Sequence, residues 1–291
     1  MSHPPQPDTD ADELLRRQRV RSTLTHLSRT GELPTLPHAA TAALALARKA
    51  DADADELCDL IGTDVGLAAR ILRIANSAAY VRRTPARSVR DVVFALGLRK
   101  TCDVLVAACF RQLHRAPGGN APSLWNHALA VAIATEELAR ATRCLEPGIG
   151  FLPGLFHDVG RIAFLLADET SGEVIQGLVA AGADTRRALE TEWYGFDHAD
   201  AGAILAGDWG LDADQCDAIR WHHDPTTAVG GRPLALLLSA ADAIATMIGC
   251  GADVEGSSVD VLGELGLSAD DETECAARVQ VTFSEQREMF G

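Results

Sequence analysis

The stretch GLFHDVGRIAFLLA, residues 154–167, sets His157 and Asp158 side by side in a run that is otherwise almost wholly apolar. A buried carboxylate costs several kcal/mol unless it is paired or holds a cation, so this pair needs partners. The chain offers several. His127 lies on an apolar stripe with Val131, Ala134 and Leu138, and His198 stands near the start of a helical pattern in FDHADAGAILAGDWG. WHHDP adds His222 and His223 at a helix end, because Pro225 disfavours helical geometry at Asp224. Asp242 sits mid-helix in PLALLLSAADAIATMI, on an inward stripe with Leu238, Ala245 and Ile248. Five imidazoles and two carboxylates without a cysteine are the inventory of a borderline-to-hard metal site, suited to one or two ions of Fe, Mn, Zn or Co. An aspartate bridging two such ions is a known device for activating water against a phosphate ester. The rival reading joins the same side chains by hydrogen bonds, without metal.

The elements that must position these residues read as helices. The chain has 291 residues, 47% of them apolar and only 5% aromatic, with a heavy alanine and leucine share. Ala and Leu favour helices and supply few of the branched and aromatic side chains that strands prefer. Residues 1–11 read as a disordered tail, and 12–116 as a helical N-terminal lobe. HRAPGGNAP (114–122) is the clearest linker, and 117–250 form a second helical lobe. Helices are expected at roughly 122–141, 148–167, 171–181, 185–194, 197–209, 213–223 and 232–249. Residues 251–291 form an acidic extension, partly helical. The expected fold is all-α, in two lobes.

Charge and composition exclude several functions. A formal charge of −15 and a pI near 4.9 repel phosphate backbones, so direct nucleic-acid binding is not expected. YVRRTPARSVRD (80–91) is the basic exception, read either as a solvated loop or as a docking patch for an anionic ligand or partner. No apolar run is long enough to span a membrane, and the polar, Pro-rich start lacks a signal-peptide core; a cytoplasmic protein is expected. Seven scattered cysteines with no C-x-x-C pair read as reduced thiols.

Taken in order, LPTLPHAATAALALARKADADADELCDLIGTDVGLAARILRIANSAAY, SVRDVVFALGLRK, LWNHALAVA, GLFHDVGRIAF, YGFDHADAGAILAGDWGL and IRWHHDP resemble the HDOD proteins. These are a branch of the HD-domain superfamily of metal-dependent phosphohydrolases. The resemblance covers roughly residues 30–228 and implies an all-helical fold whose second half is an HD-like core. It places metal ligands on His127, His157, Asp158 and Asp242, with His198 and one of the pair His222/His223 added in two-metal relatives. If the site were hydrolytic, Asp158 and Arg161 would be catalytic. The chain departs from the phosphodiesterase relatives in three places: it lacks their Gly-Tyr-Pro tripeptide, carries Gly160-Arg161 in place of Gly-Lys, and has Ser123 where some relatives have an acid. The family commonly serves as regulatory modules in bacterial signalling. The resemblance therefore implies signalling proteins as partners in trans, or alternatively hydrolysis of a nucleotide or cyclic dinucleotide. Within RIANSAAY, Asn76, Ser77 and Tyr80 are candidates for an inter-lobe or ligand contact, or for pinning an adjacent loop.

Overall fold

A computed structural model describes residues 10–27, 35–49, 51–77, 85–115, 121–146, 148–167, 174, 177, 185–251 and 260–290. Among these residues all regular structure is helical. The tail residues 1–9, most of the expected helix 171–181, the linker residues 116–120 and Tyr80 lie outside them.

The first half contains α1 (Asp10–Leu27), α2 (His38–Ala47), α3 (Ala54–Gly62), α4 (Val65–Ala75), α5 (Val89–Leu96) and α6 (Leu98–Phe110). Local chemistry sets their ends. Asp53 and Asp64 accept backbone N–H groups at the starts of α3 and α4, and Ser88 with Asp91 forms a capping box on α5. Gly97, at a φ of 78°, makes the break between α5 and α6.

The second half contains α7 (Ala121–Thr142), α8 (Phe151–Phe156), α9 (Val159–Ala167), α10 (Arg186–Tyr194), α11 (His198–Trp209), α12 (Ala213–Arg220) and α13 (Arg232–Met247). Beyond it lie a short α14 (Val261–Glu264) and the long α15 (Ala269–Phe290). α7 is the central element, packed against α8, α13 and α15, while α11 packs between α9 and α12. One buried apolar cluster runs through both halves.

Two features differ from the sequence expectation. The helix expected over 148–167 is interrupted at His157-Asp158, where the imidazole Nδ1 donates to the Gly154 carbonyl at 2.8 Å. A side chain that takes a nearby backbone carbonyl competes with the helix ladder. Helix α1, read with the first lobe, packs on α9 and α11 of the second half. Its arginines hold it there: Arg16 pairs with Asp200 at 3.0 Å and Arg19 donates to the Gly195 carbonyl at 2.9 Å.

A candidate two-ion metal centre

The site is built where α7, the α8–α9 break, α11, the end of α12 and α13 converge. Close packing makes that convergence feasible. A Cβ on Gly154 would lie 2.8 Å from Ala132 Cα, and one on Gly160 would lie 2.0 Å from the His198 carbonyl oxygen. Those two glycines let α8 meet α7, and α9 meet α11, at backbone contact.

Asp158 stands at the centre, and its two oxygens face different groups. Oδ2 lies 3.4 Å from His127 Nε2 and 3.7 Å from His157 Nε2, and accepts from Arg161 at 2.8 Å. Oδ1 lies 3.2 Å from His198 Nε2 and 3.9 Å from His222 Nε2. Asp242 joins the first group, with Oδ1 3.2 Å from His127 Nε2. His223 joins the second, with Nε2 2.9 Å from His198 Nε2. Ligand atoms of His127, His157 and Asp158 all lie within 4.8 Å of one another, and so do those of His198, His222 and His223. Every metal candidate named from the sequence is therefore brought to one place, including both members of the His222/His223 pair.

Tautomers decide what these groups can do. His127 Nδ1 donates to the Cys250 carbonyl at 3.1 Å, His157 Nδ1 to Gly154, and His222 Nδ1 to Ile219 at 2.6 Å. A carbonyl only accepts, so each Nδ1 carries the hydrogen, and in the neutral rings each Nε2 presents a lone pair. His127 and His157 then face each other Nε2 to Nε2 at 3.1 Å. Two lone pairs at that separation repel unless a cation or proton lies between them. His222 Nε2 is buried without a hydrogen-bond partner, a costly state that a cation would relieve. The donor set therefore fits metal, and each group of three could hold one ion, with Asp158 shared between them.

The electrostatics of the protein alone agree with that assignment for most of the rings. Burial holds His157 below its ordinary pKa, takes His222 down to about 3 and lowers His223 strongly, so these rings are neutral and ready to ligate. Burial opposes a charge on Asp158, but the Arg161 guanidinium and the charged His198 beside it outweigh that and hold the carboxyl well below the usual range. Asp242 is pushed up to about 6, chiefly by burial, although its side chain keeps 18% of its surface at the edge of the site. His198 departs from the other rings. Burial opposes its charge, yet Glu190 and Asp158 on either side raise it well above the ordinary imidazole value. Without an ion it is an imidazolium between two carboxylates; an ion on Nε2 would take the proton's place.

Glu190 is the functional residue that sequence reasoning missed. Its Oε2 accepts from His198 Nδ1 at 2.6 Å and from the His198 backbone N–H at 2.8 Å. A carboxylate behind a ligating histidine orients the ring and raises its basicity. α10, RRALETEWY, is polar enough to read as a solvated face, so nothing in its sequence marked Glu190 as buried. Asn76 has a local partner: its amide donates to the Ala86 carbonyl at 2.9 Å and accepts from the Ala86 N–H at 2.6 Å. Ser77 Oγ is buried without a partner.

An all-helical fold with a His-Asp pair at the crossing of two imidazole groups defines an HD-type core. The model of the HDOD domain matches residues 33–225, and the chain belongs to that family. An HDOD domain protein of unknown function from Geobacter sulfurreducens has a similar structure, with a TM-score of 0.77 at 27% identity, covering 95% of this chain and 97% of that one. A protein from Shewanella amazonensis SB2B, provisionally named a phosphohydrolase, gives 0.76 at 25% identity, covering 94% and 98%. A curated relative, an uncharacterised protein of Treponema pallidum (strain Nichols), is 24% identical over 212 residues, 72% of this chain but 41% of that protein. The chain thus spans about two fifths of that relative's length. Among the described residues no helix is long and apolar enough to cross a membrane.

Proposed function

We propose that this chain is a cytoplasmic regulatory HDOD protein that holds two divalent ions, Fe, Mn, Zn or Co, in its HD-like half and acts on signalling proteins in trans. One observation carries the metal reading: Asp158 offers one oxygen to each of two imidazole groups whose Nε2 lone pairs converge. His127, His157, Asp158 and Asp242 would hold one ion, and His198, His222, His223 and Asp158 the other. Two features favour regulation over turnover. Arg161 is buried and bonded to Asp158, so its guanidinium serves the ligand and does not reach toward a substrate. The remaining ligands are also buried, apart from His223 and Asp242 at the edge.

Metal-dependent phosphohydrolysis of a nucleotide or cyclic dinucleotide is the second reading. It is favoured by the shared carboxylate and by the named activity of the Shewanella relative. In that chemistry the ions supply a water activated at neutral pH and neutralise phosphate charge. Asp158 would be the residue on which both depend, and Arg161 would hold it ionised.

Elemental analysis of freshly purified protein beside the His157→Ala/Asp158→Ala variant tests the centre, with one to two equivalents expected in the unaltered protein alone. Protein that stays metal-free after soaking would overturn it. A nucleotide panel then separates the two readings: product formed only by metal-loaded protein with Asp158 intact would establish the hydrolase. The regulatory reading predicts no turnover, together with an altered signalling output when the double variant replaces the native copy in its host.

A further inference from the structure

The second group of imidazoles has to hold a fixed distance across a turn. His198 opens α11, while His222 and His223 lie in the turn 221–224 after α12, outside any helix. Arg187 on α10 spans that gap. Its Nε donates to Asp197 Oδ2 at 2.8 Å and its Nη1 to Asp224 Oδ2 at 2.9 Å. Asp197 immediately precedes His198, and Asp224 immediately follows His223. One guanidinium thus ties the chain neighbour of one ligand to the chain neighbour of another, where the two rings stand 2.9 Å apart between Nε2 atoms. Both carboxylates are themselves fixed. Asp197 Oδ1 caps α11 by accepting the Asp200 N–H at 3.0 Å, and the Asp224 N–H donates to the Trp221 carbonyl at 2.9 Å. Glu190, which backs His198, stands three positions after Arg187, so both fall on one side of α10. α10 therefore reaches the second group from behind, whereas the first group comes from α7, the α8–α9 break and α13.

We infer that Arg187 is a positioning residue for the second ion: its two-armed contact with Asp197 and Asp224 sets the separation of His198 and His223. The inference rests on the metal reading above and deepens it. An exposed ion pair contributes little, but Arg187 is not one: its side chain keeps 29% of its surface, and its partners lie 10 and 37 positions away on separate segments. Its planar fork fixes direction as well as distance, which the point charge of a lysine does not. Charge and geometry make opposite demands here, and that makes the inference decidable. Arg187 is a cation beside a cation site, so removing it leaves two carboxylates uncompensated and, by charge alone, should tighten ion binding. If its role is geometric, removal loosens the His198–His223 spacing and weakens binding instead.

The test uses the full-length protein loaded with Mn(II) and titrated with a chelator, for the unaltered chain, Arg187→Ala, Arg187→Lys and Asp224→Asn. Release is followed by metal analysis and by electron paramagnetic resonance, because two ions sharing Asp158 give a coupled signal that one ion does not. A His223→Ala protein identifies which release belongs to the second group, and Tm at saturating Mn(II) checks the fold. In Arg187→Ala the second-group ion should be held about 10- to 100-fold more weakly, with the first unchanged and the coupled signal lost early. Arg187→Lys should fall between the two, and Asp224→Asn, which cuts one arm, should shift release less in the same direction. Equal retention in all four proteins would overturn the inference. So would tighter retention in Arg187→Ala, which would make the guanidinium a charge effect alone. Equal weakening of both ions with a lower Tm would make Arg187 a packing residue, and would overturn it too. An unaltered protein that takes up no Mn(II) is a separate result: it would sink the metal reading, and this inference with it.

Discussion

Four aspartates lie buried among the described residues, and the surroundings of two of them, Asp158 and Asp103, drive them in opposite directions. Asp158, among four imidazoles and the Arg161 guanidinium, is held well below the usual carboxylate range against the cost of burial. Asp103 on α6 is 1% exposed, its Oδ2 has no hydrogen-bond partner, and burial pushes it up to about 7 despite the attraction of Lys100 and Arg99. The contrast shows that burial alone does not make a site. A carboxylate becomes a ligand when cationic groups and fixed lone pairs keep its charge in place; where they are weak or distant, it takes up a proton instead.

The strongest test of that contrast is Asp158→Ala. It should abolish binding of both ions, taking the metal content by elemental analysis from one or two equivalents to none. Retention of a full equivalent would show that the two imidazole groups act independently. Gly160→Ala attacks the geometry instead of the chemistry. Its new methyl would collide with the His198 backbone carbonyl, which cannot swing aside as a side chain could, so α9 and α11 must separate. A loss of about 3 kcal/mol in denaturant unfolding is expected, at the upper end for overpacking, together with weaker metal retention. Glu190→Gln keeps the shape but removes the charge behind His198. Metal affinity should drop about 10- to 100-fold in a competition titration, with the ion held by His198, His222 and His223 lost first.

Asp103→Asn probes the other member of the pair, through pH. The folded-state pKa of Asp103 is about 7 and its ordinary value 3.8, so between those limits the folded protein binds the extra proton. Stability should therefore fall as pH rises from about 4 to about 7 and then level off. Replacing Asp103 by Asn should remove that slope, so that the variant gains stability over the unaltered protein at pH 8 and little at pH 4. An unchanged slope in urea unfolding would mean that Asp103 has partners that keep it charged.

Much of the site was legible because each ligand interrupts an apolar run. His157, Asp158 and Asp242 stand out among leucine and alanine, and a buried polar group demands a reason. The family pattern then placed the rest. The illegible parts are those where polarity does not signal burial. Glu190 sits in a helix of charged residues, and only the packing of α10 against His198 shows it to be internal. The arginines of α1 look solvated in sequence, yet they reach Asp200 and Gly195, more than 170 positions away along the chain. The break at His157-Asp158 was hidden by an apolar run that continues through it.

The carbonyl of Cys250, which orients His127, has one further consequence. The family match ends at residue 225, while Asp242 and Cys250 both lie downstream of it. A fragment trimmed to the recognisable pattern would keep all five histidines, but His127 would be free to spin and would have lost its nearest carboxylate. The length of chain that ancestry makes visible is shorter than the length that makes the cluster work, and whoever cuts this protein for study should cut by the second.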